Sequence, residues 1–200
     1  MTLRELAKSA ARGAAHVAVF PAVVSFALRS VLLGPDRALQ PTSQWMSLLP
    51  GLTGQYLRRA FLSRALAECD SSAVIEFGTT FCRAGTRIGP DVYIGVRCHL
   101  GLVHLERDVL VASGVHIPSG GDTHGIDDLT QPIREQSRNE RMVRVGAGAW
   151  IGERAVIMAD VGPDAVIGAG AVVTRPVPAW AVSAGVPARV LRRRNLGAAV

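Results

Sequence analysis

The chain has 200 residues, enough for one domain or for one domain with a small appendage. Hydrophobic residues make up 48% of it and aromatic residues only 5%, which indicates an aliphatic core. The net charge is +6 and Lys8 is the only lysine, so the positive charge is arginine and favours phosphorylated ligands or an acidic surface. No nucleic-acid-binding motif is present, which argues against nucleic acid as a partner. Three cysteines, an odd count, argue against a disulfide framework and favour a reducing compartment.

Residues 1–70 are predicted to form a helical, partly apolar N-terminal segment. The apolar stretch at 14–33 contains Pro21, and its apolar core falls short of the roughly twenty residues that span a bilayer. Two interpretations stay open: a helix that packs on the chain or in an oligomer, which we favour, and a helix that makes peripheral membrane contact. A second helix from about Gly54 has an apolar stripe that we expect to cap the open end of the following domain.

Residues 71–200 carry a repeat. From Ile75 to Val173 an aliphatic residue returns about every six positions, a period that fits neither a helix nor a flat strand and indicates a stacked solenoid. Many of these residues follow a small or β-branched residue by two positions, and both are expected to point inward. Gly often stands directly after the aliphatic residue, where a corner needs unusual backbone angles or tight approach. Fourteen such faces can be counted.

One long polar loop, 119–144, interrupts the repeat. It contains His124 together with several carboxylates, among them Asp122 and Asp127. Polar insertions on a rigid scaffold often carry function, and a histidine oriented by a carboxylate takes protons near neutral pH. A solvated loop with an incidental histidine explains the same residues equally well, so the residues alone leave both interpretations open.

The hexads, the histidine loop and the ending IGAGAVVTRPVPAWAVSAGVPARVLRRR resemble the hexapeptide-repeat acyltransferases, in particular the polysaccharide and sugar O-acetyltransferases. The resemblance covers about residues 70–195. It implies an all-β solenoid, a left-handed parallel β-helix with three hexads per coil, between four and five coils and a short C-terminal helix or tail. It also implies a homotrimer.

The same resemblance implies acetyl-CoA as donor, bound between neighbouring subunits, and no metal. His124 matches the general base of the family, with Asp122 or Asp127 to hold its imidazole. The positions that match the path of pantetheine are Trp150, Gly168, Ala169 and Gly170. Those that match the site of the CoA phosphates are Arg175 and Arg189 and, more weakly, Arg192 and Arg193.

The resulting prediction is an O-acetyltransferase that acts on a hydroxyl of a sugar or surface polysaccharide intermediate, in the cytoplasm or at the inner face of the membrane. Membrane contact would favour a lipid-linked sugar, and internal packing would make a soluble sugar or nucleotide sugar equally suitable. N-acetylation of an amino sugar or nucleotide sugar is the nearest competing chemistry. A metal-binding β-helix like the γ-type carbonic anhydrases, using His99, His104 and His116, is a further alternative, as is a scaffold without catalysis.

Overall fold

The computed structural model describes residues 2–194 and places three helices ahead of a parallel β-solenoid. The helices are α1 (Leu3–Leu33), α2 (Pro35–Ser47) and α3 (Gly51–Ala65). The strands are β1 (Glu68–Cys69), β2 (Val74–Ile75), β3 (Thr80–Phe81), β4 (Arg87–Ile88), β5 (Tyr93–Ile94), β6 (His99–Leu100), β7 (Val103–Leu105), β8 (Leu110–Val111), β9 (His116–Ile117), β10 (Val143–Val145), β11 (Trp150–Ile151), β12 (Val156–Ile157), β13 (Val166–Ile167), β14 (Val172–Val173), β15 (Ala181–Ala184) and β16 (Arg189–Arg193).

Helix α1 is longer than the apolar stretch in the sequence. It begins at a capping box between Thr2 and Glu5, continues through Pro21 and ends at Gly34, whose φ of +81° suits glycine. By length and composition alone the segment Glu5–Leu33 could cross a membrane, a test that core helices and signal sequences also pass. The expectation that the segment is too short to span is therefore wrong, because Pro21 does not end the helix.

The helices close the first coil of the solenoid. Helix α3 lies against β1 and β2, and α2 lies against β3, so the second predicted helix caps the solenoid as expected. Arg58 of α3 is fully buried and donates hydrogen bonds to the carbonyls of Ile75, Met46 and Leu49. These bonds tie the turn between α2 and α3 to the first coil.

Three sheets form the walls of the solenoid, and all their strands pair parallel except β16 at the edge of one sheet. The four-stranded sheet runs β1-β4-β7-β10, the seven-stranded sheet β16-β15-β13-β11-β8-β5-β2 and the five-stranded sheet β14-β12-β9-β6-β3. Isolated bridges through Val161 and Val177 continue the four-stranded wall. The chain therefore makes about six turns, and the predicted four to five coils are corrected upward. Three faces are absent from that prediction: those at Cys69 and Ser183, which are not aliphatic, and the one at Val177, which follows the last counted hexad.

The inward residues follow the predicted register. Aliphatic positions such as Ile94, Ile151 and Ile167 are buried, and so are the small residues two positions earlier, such as Val92 and Ala149. Glycine is needed after the aliphatic positions because the backbone of the next coil lies too close for a side chain. A Cβ on Gly152 would lie 2.6 Å from the backbone nitrogen of Ala169. Positive φ values occur two residues later instead, as at Arg154.

The corner from the five-stranded to the four-stranded wall is the one whose length varies. Inward residues at the other two corners are six positions apart, whereas this corner is shortened between Ile157 and Val161 and carries the long insertion between Ile117 and Val143. The insertion contains one short 3₁₀ helix, Ile133–Glu135. At the C-terminus β15 and β16 pair antiparallel, so of the expected helix or tail the described chain shows a tail; residues 195–200 lie outside the described part.

Candidate active site

A cavity of about 480 Å³ lies where the insertion returns onto the outer surface of the five-stranded sheet. We call this outer surface, which carries His99 and His116, the histidine face; their strand neighbours Leu100 and Ile117 point into the core. The insertion forms the opposite wall of the cavity. The lining residues are Cys82, Arg83, His99, Gly101, His116, Pro118, Ser119, Thr123, His124, Arg138, Glu140 and Val156.

His124 is half-buried in this wall. Its Nδ1 is enclosed and has no hydrogen-bond partner among the described residues, so Nε2 is the ring nitrogen available to the cavity. The structure does not bring the predicted orienting carboxylates to it. Asp122 lines a different, smaller cavity with Arg141 and Met158, and Asp127 is exposed on the loop. Neither aspartate hydrogen-bonds to His124 in the described chain.

The carboxylate that shares the cavity with His124 is Glu140. Arg83 donates hydrogen bonds from Nε and Nη2 to the two carboxylate oxygens of Glu140, and Asp36 lies 3.8 Å from Arg83 Nε. The bonds from Arg83 lower the pKa of Glu140 against the opposing effect of burial, and they raise the pKa of Arg83. Sequence reasoning missed this pair, because Arg83 and Glu140 are 57 positions apart and follow no motif.

His99 and His116 are register partners on neighbouring strands, with ring centroids 6.1 Å apart and ring planes tilted by 46°. Thr80 Oγ1 lies 2.9 Å from His99 Nδ1. Desolvation by the cavity wall, followed by the charges of His116 and Arg83, lowers the pKa of His99. His104 lies on the four-stranded wall beside Arg87, away from both rings. Within residues 2–194 no group of three or more histidine, cysteine or acidic side chains could hold a metal ion.

The thiols of the chain are poorly suited to nucleophilic attack. Cys82 lines the cavity, but burial raises its pKa and outweighs the lowering effect of Arg83. Burial also raises the pKa of inward-facing Cys98 and brings that of Cys69 to about 12. The raised pKa values leave these thiols weak nucleophiles at physiological pH.

The predicted CoA-binding residues lie apart from this cavity. Trp150 stands on the outer surface of the seven-stranded sheet, next to Leu110 in the ladder; we call this surface the tryptophan face. Arg189 and Arg192 are exposed on β16 of the same sheet, and Arg175 is exposed after β14. None of these residues lines the cavity of His124.

The predicted glycine corner follows β13, between the tryptophan face and the histidine face. Gly168 N–H donates to Ser183 and Gly170 N–H donates to Glu153. Gly170 has φ of +66°, the left-handed region that favours glycine. Ala169 is exposed, and within the described chain its N–H has no acceptor. The corner therefore offers one free backbone donor, at Ala169.

Comparisons with known proteins agree with this architecture. A family model described as the hexapeptide repeat of succinyl-transferase matches residues 85–118 and 142–175. A probable acetyltransferase of Mycobacterium tuberculosis, Rv3034c, is 29% identical over 146 residues, which are 61% of this chain and 49% of that protein. The chain thus spans about half the length of this curated relative.

Solved structures share the fold. The maltose O-acetyltransferase of Clostridium difficile 630 superposes with a TM-score of 0.67 at 18% identity, over 80% of this chain and 88% of that one. A galactoside acetyltransferase crystallised with coenzyme A superposes with a TM-score of 0.61 at 24% identity, over 80% of this chain and 81% of that one. These findings confirm the left-handed parallel β-helix and the predicted resemblance: the chain is built on the hexapeptide-repeat solenoid of the acetyltransferases.

Proposed function

We propose that this protein is an acetyltransferase that moves the acetyl group of acetyl-CoA to a hydroxyl of a sugar or surface polysaccharide intermediate, with His124 as general base. The observation that carries the proposal is the position of His124: the only insertion into the described solenoid encloses its Nδ1 and leaves Nε2 to a cavity of about 480 Å³. The acetyltransferases that share the fold support this chemistry.

The reaction needs a base because a sugar hydroxyl has a pKa far above neutral. Nε2 of His124 takes the hydroxyl proton as the oxygen bonds to the thioester carbonyl carbon. The carbonyl π electrons move to oxygen, and a backbone N–H such as that of Ala169 stabilises this oxyanion by about 3 kcal/mol. When the intermediate collapses, the C–S bond breaks and the CoA sulfur takes the proton from the imidazolium. The products are the acetyl ester and CoA.

A second subunit would complete the site. In one chain the base lies in the insertion that covers the histidine face, whereas Trp150 and Arg189 lie on the tryptophan face. The tryptophan face also exposes an apolar ladder of Tyr93, Leu110 and Trp150, which suits a contact between copies. In a homotrimer the histidine face of one copy meets the tryptophan face of the next, and acetyl-CoA lies between them.

The test is acetyl transfer by His124→Ala. With radiolabelled acetyl-CoA and a panel of sugars, amino sugars and lipid-linked glycans, we expect transfer to fall at least about 100-fold, the usual scale for a lost general base. The melting temperature should stay near that of the wild type. Near-normal turnover would remove His124 from the mechanism, and label on amines alone would make the protein an N-acetyltransferase.

A further inference from the structure

The outward side of α1 and the arginines beside the cavity point to one kind of acceptor. Resting on the proposed function, we propose that the acceptor is a sugar joined through phosphate to a membrane lipid. The exposed side of α1 binds the surface of that membrane, with the helix axis parallel to it, and Arg37 and Arg138 bind the linking phosphate.

The first observation is an apolar surface without charge. At 100° per residue, the large exposed apolar residues of α1 other than Leu33 fall within a sector of about 120° that runs along the helix. Lys8 and Arg12 lie on the opposite side, in line with the packed residues Ala15 and Val19. Only 11% of the apolar window of α1 is buried. We call the exposed sector the apolar strip, and its main members are Val17, Phe20, Val24, Leu28, Val31 and Leu32.

The packing of α1 fits a helix that lies on the membrane rather than one that crosses it. The side opposite the apolar strip is already occupied, since Phe26 stacks edge-on against Phe61 of α3 at 5.9 Å and Arg29 donates to Thr42 of α2. A spanning α1 would have to give up these contacts. An interfacial helix keeps them and buries only its free side in the headgroup region.

The second observation is a polar cavity at the end of the apolar strip. A cavity of about 420 Å³ is lined by Leu33, at the end of α1, and by Asp36, Arg37 and Gln40 of α2. Its remaining wall is Arg83, Arg138 and Glu140, which also line the cavity of His124. The two cavities therefore adjoin each other and share these side chains. A sugar in one cavity could carry its anomeric phosphate in the other, because the two groups are joined directly.

The charges of this polar cavity suit a phosphate. Arg83 is neutralised by Glu140 and Asp36. Arg37 and Arg138 are exposed, and in the described chain neither has a carboxylate within ion-pair distance. Guanidinium groups bind phosphate oxygens in a bidentate manner.

A lipid-linked acceptor accounts for both observations together. A soluble nucleotide sugar would bind the arginines but would leave the apolar strip exposed to water. A second copy of the chain would cover the apolar strip and leave the arginines without a ligand. Along the molecule the apolar strip is followed by the polar cavity and then by the general base. A lipid-linked sugar has its lipid, phosphate and sugar in the same order.

The experiment is flotation of the full chain with vesicles, without acetyl-CoA. The vesicles are phosphatidylcholine alone, or with phosphatidylglycerol or polyprenyl phosphate at equal mole fraction. We expect the tightest binding with polyprenyl phosphate. Leu28→Glu should weaken binding to all three at least about tenfold, because it replaces a leucine that would be buried in the membrane with a charge. Leu129→Glu, the same change at an exposed position of the insertion, should leave binding unchanged.

The double variant Arg37→Ala/Arg138→Ala distinguishes recognition of the phosphate headgroup from general binding to the membrane surface. It should lower binding to polyprenyl phosphate vesicles to the level of phosphatidylglycerol vesicles, and millimolar inorganic phosphate should compete only weakly with the lipid. No flotation, flotation insensitive to Leu28→Glu, or equal binding to both anionic lipids would overturn the proposal. So would resistance to alkaline carbonate extraction, which marks a spanning helix. Failure of acetyl transfer would leave these binding results untouched and would count against the proposed function alone.

Discussion

The histidine face and the tryptophan face are built from the same coils and differ in what they present. The histidine face carries a ladder of Thr80, His99 and His116 and is covered by the insertion, which forms a polar cavity with it. The tryptophan face is open and apolar, with arginines at its C-terminal end. The proposed function assigns proton transfer to the first face with its insertion, and the adenine, pantetheine and phosphates of the donor to the second. In a single chain the two faces lie apart, and under the proposed function they would meet only in a homotrimer.

Both faces depend on one shared core, and breaking the core should have the largest effect. Ile151 is fully buried beside Trp150, which is half exposed on the same strand. Ile151→Ala should lower the free energy of unfolding by about 2–5 kcal/mol through the lost transfer energy and the cavity left behind. Trp150→Ala should lower it far less and should weaken acetyl-CoA binding instead. Denaturant titration of both variants checks this, and equal losses of stability would contradict the assigned register.

Mixing variants of the two faces should restore activity. His124→Ala removes the proposed base, and Arg189→Glu places a negative charge at the proposed site of the donor phosphates. If the site lies between copies, equal amounts unfolded and refolded together should regain about one quarter of wild-type transfer, since one in four random interfaces is intact. Each variant refolded alone is the control and should stay near its own low rate. Activity that never exceeds the average of the two controls would place the whole site within one chain.

The cationic end of the tryptophan face can be tested by itself. Arg189→Ala should weaken CoA binding about tenfold, as expected for one charge-assisted phosphate contact. Arg87→Ala, on the four-stranded wall, is the matched control and should not change it. Calorimetry gives both affinities, and an unchanged affinity in Arg189→Ala would move the phosphate site elsewhere.

The smallest expected effect concerns the bond that holds the insertion over the histidine face. Because Arg83 lowers the pKa of Glu140, this carboxylate stabilises the fold above its unfolded-state pKa, and the stabilisation is lost as pH falls through the lowered value. Glu140→Gln should cost about 1 kcal/mol at neutral pH. The difference from the wild type should vanish in acid. Glu135→Gln, in an exposed pair, is the control; a pH-independent difference for Glu140→Gln would contradict this linkage.

The period of the sequence predicts the coils well and the site only in part. A residue at Ile151 or Ala149 must point inward wherever hexads stack, so local pattern decides its place. The first and last coils were predicted incompletely. Cys69 and Ser183 occupy inward positions there but are not aliphatic, so the repeat pattern did not reveal these two faces. The pattern also placed His124 in the one insertion, but not the carboxylate beside it. Glu140 reaches the cavity through a bond to a distant arginine, and no local signal encodes such a pair.

The helices show the same limit. Arg58 reads as one of several arginines on an amphipathic helix, yet the structure buries it completely on three carbonyls. Pro21 predicts a break in α1, but its missing N–H costs only one hydrogen bond in a long helix, and the helix continues. Tertiary contacts decide both cases.

The most direct test of acetyl-CoA as the donor is calorimetric titration of the purified, metal-stripped protein with acetyl-CoA and, in parallel, with zinc. The proposed function predicts micromolar binding of acetyl-CoA at about one site per chain. No heat with acetyl-CoA together with tight zinc binding would contradict it and would indicate a metal-dependent β-helix enzyme.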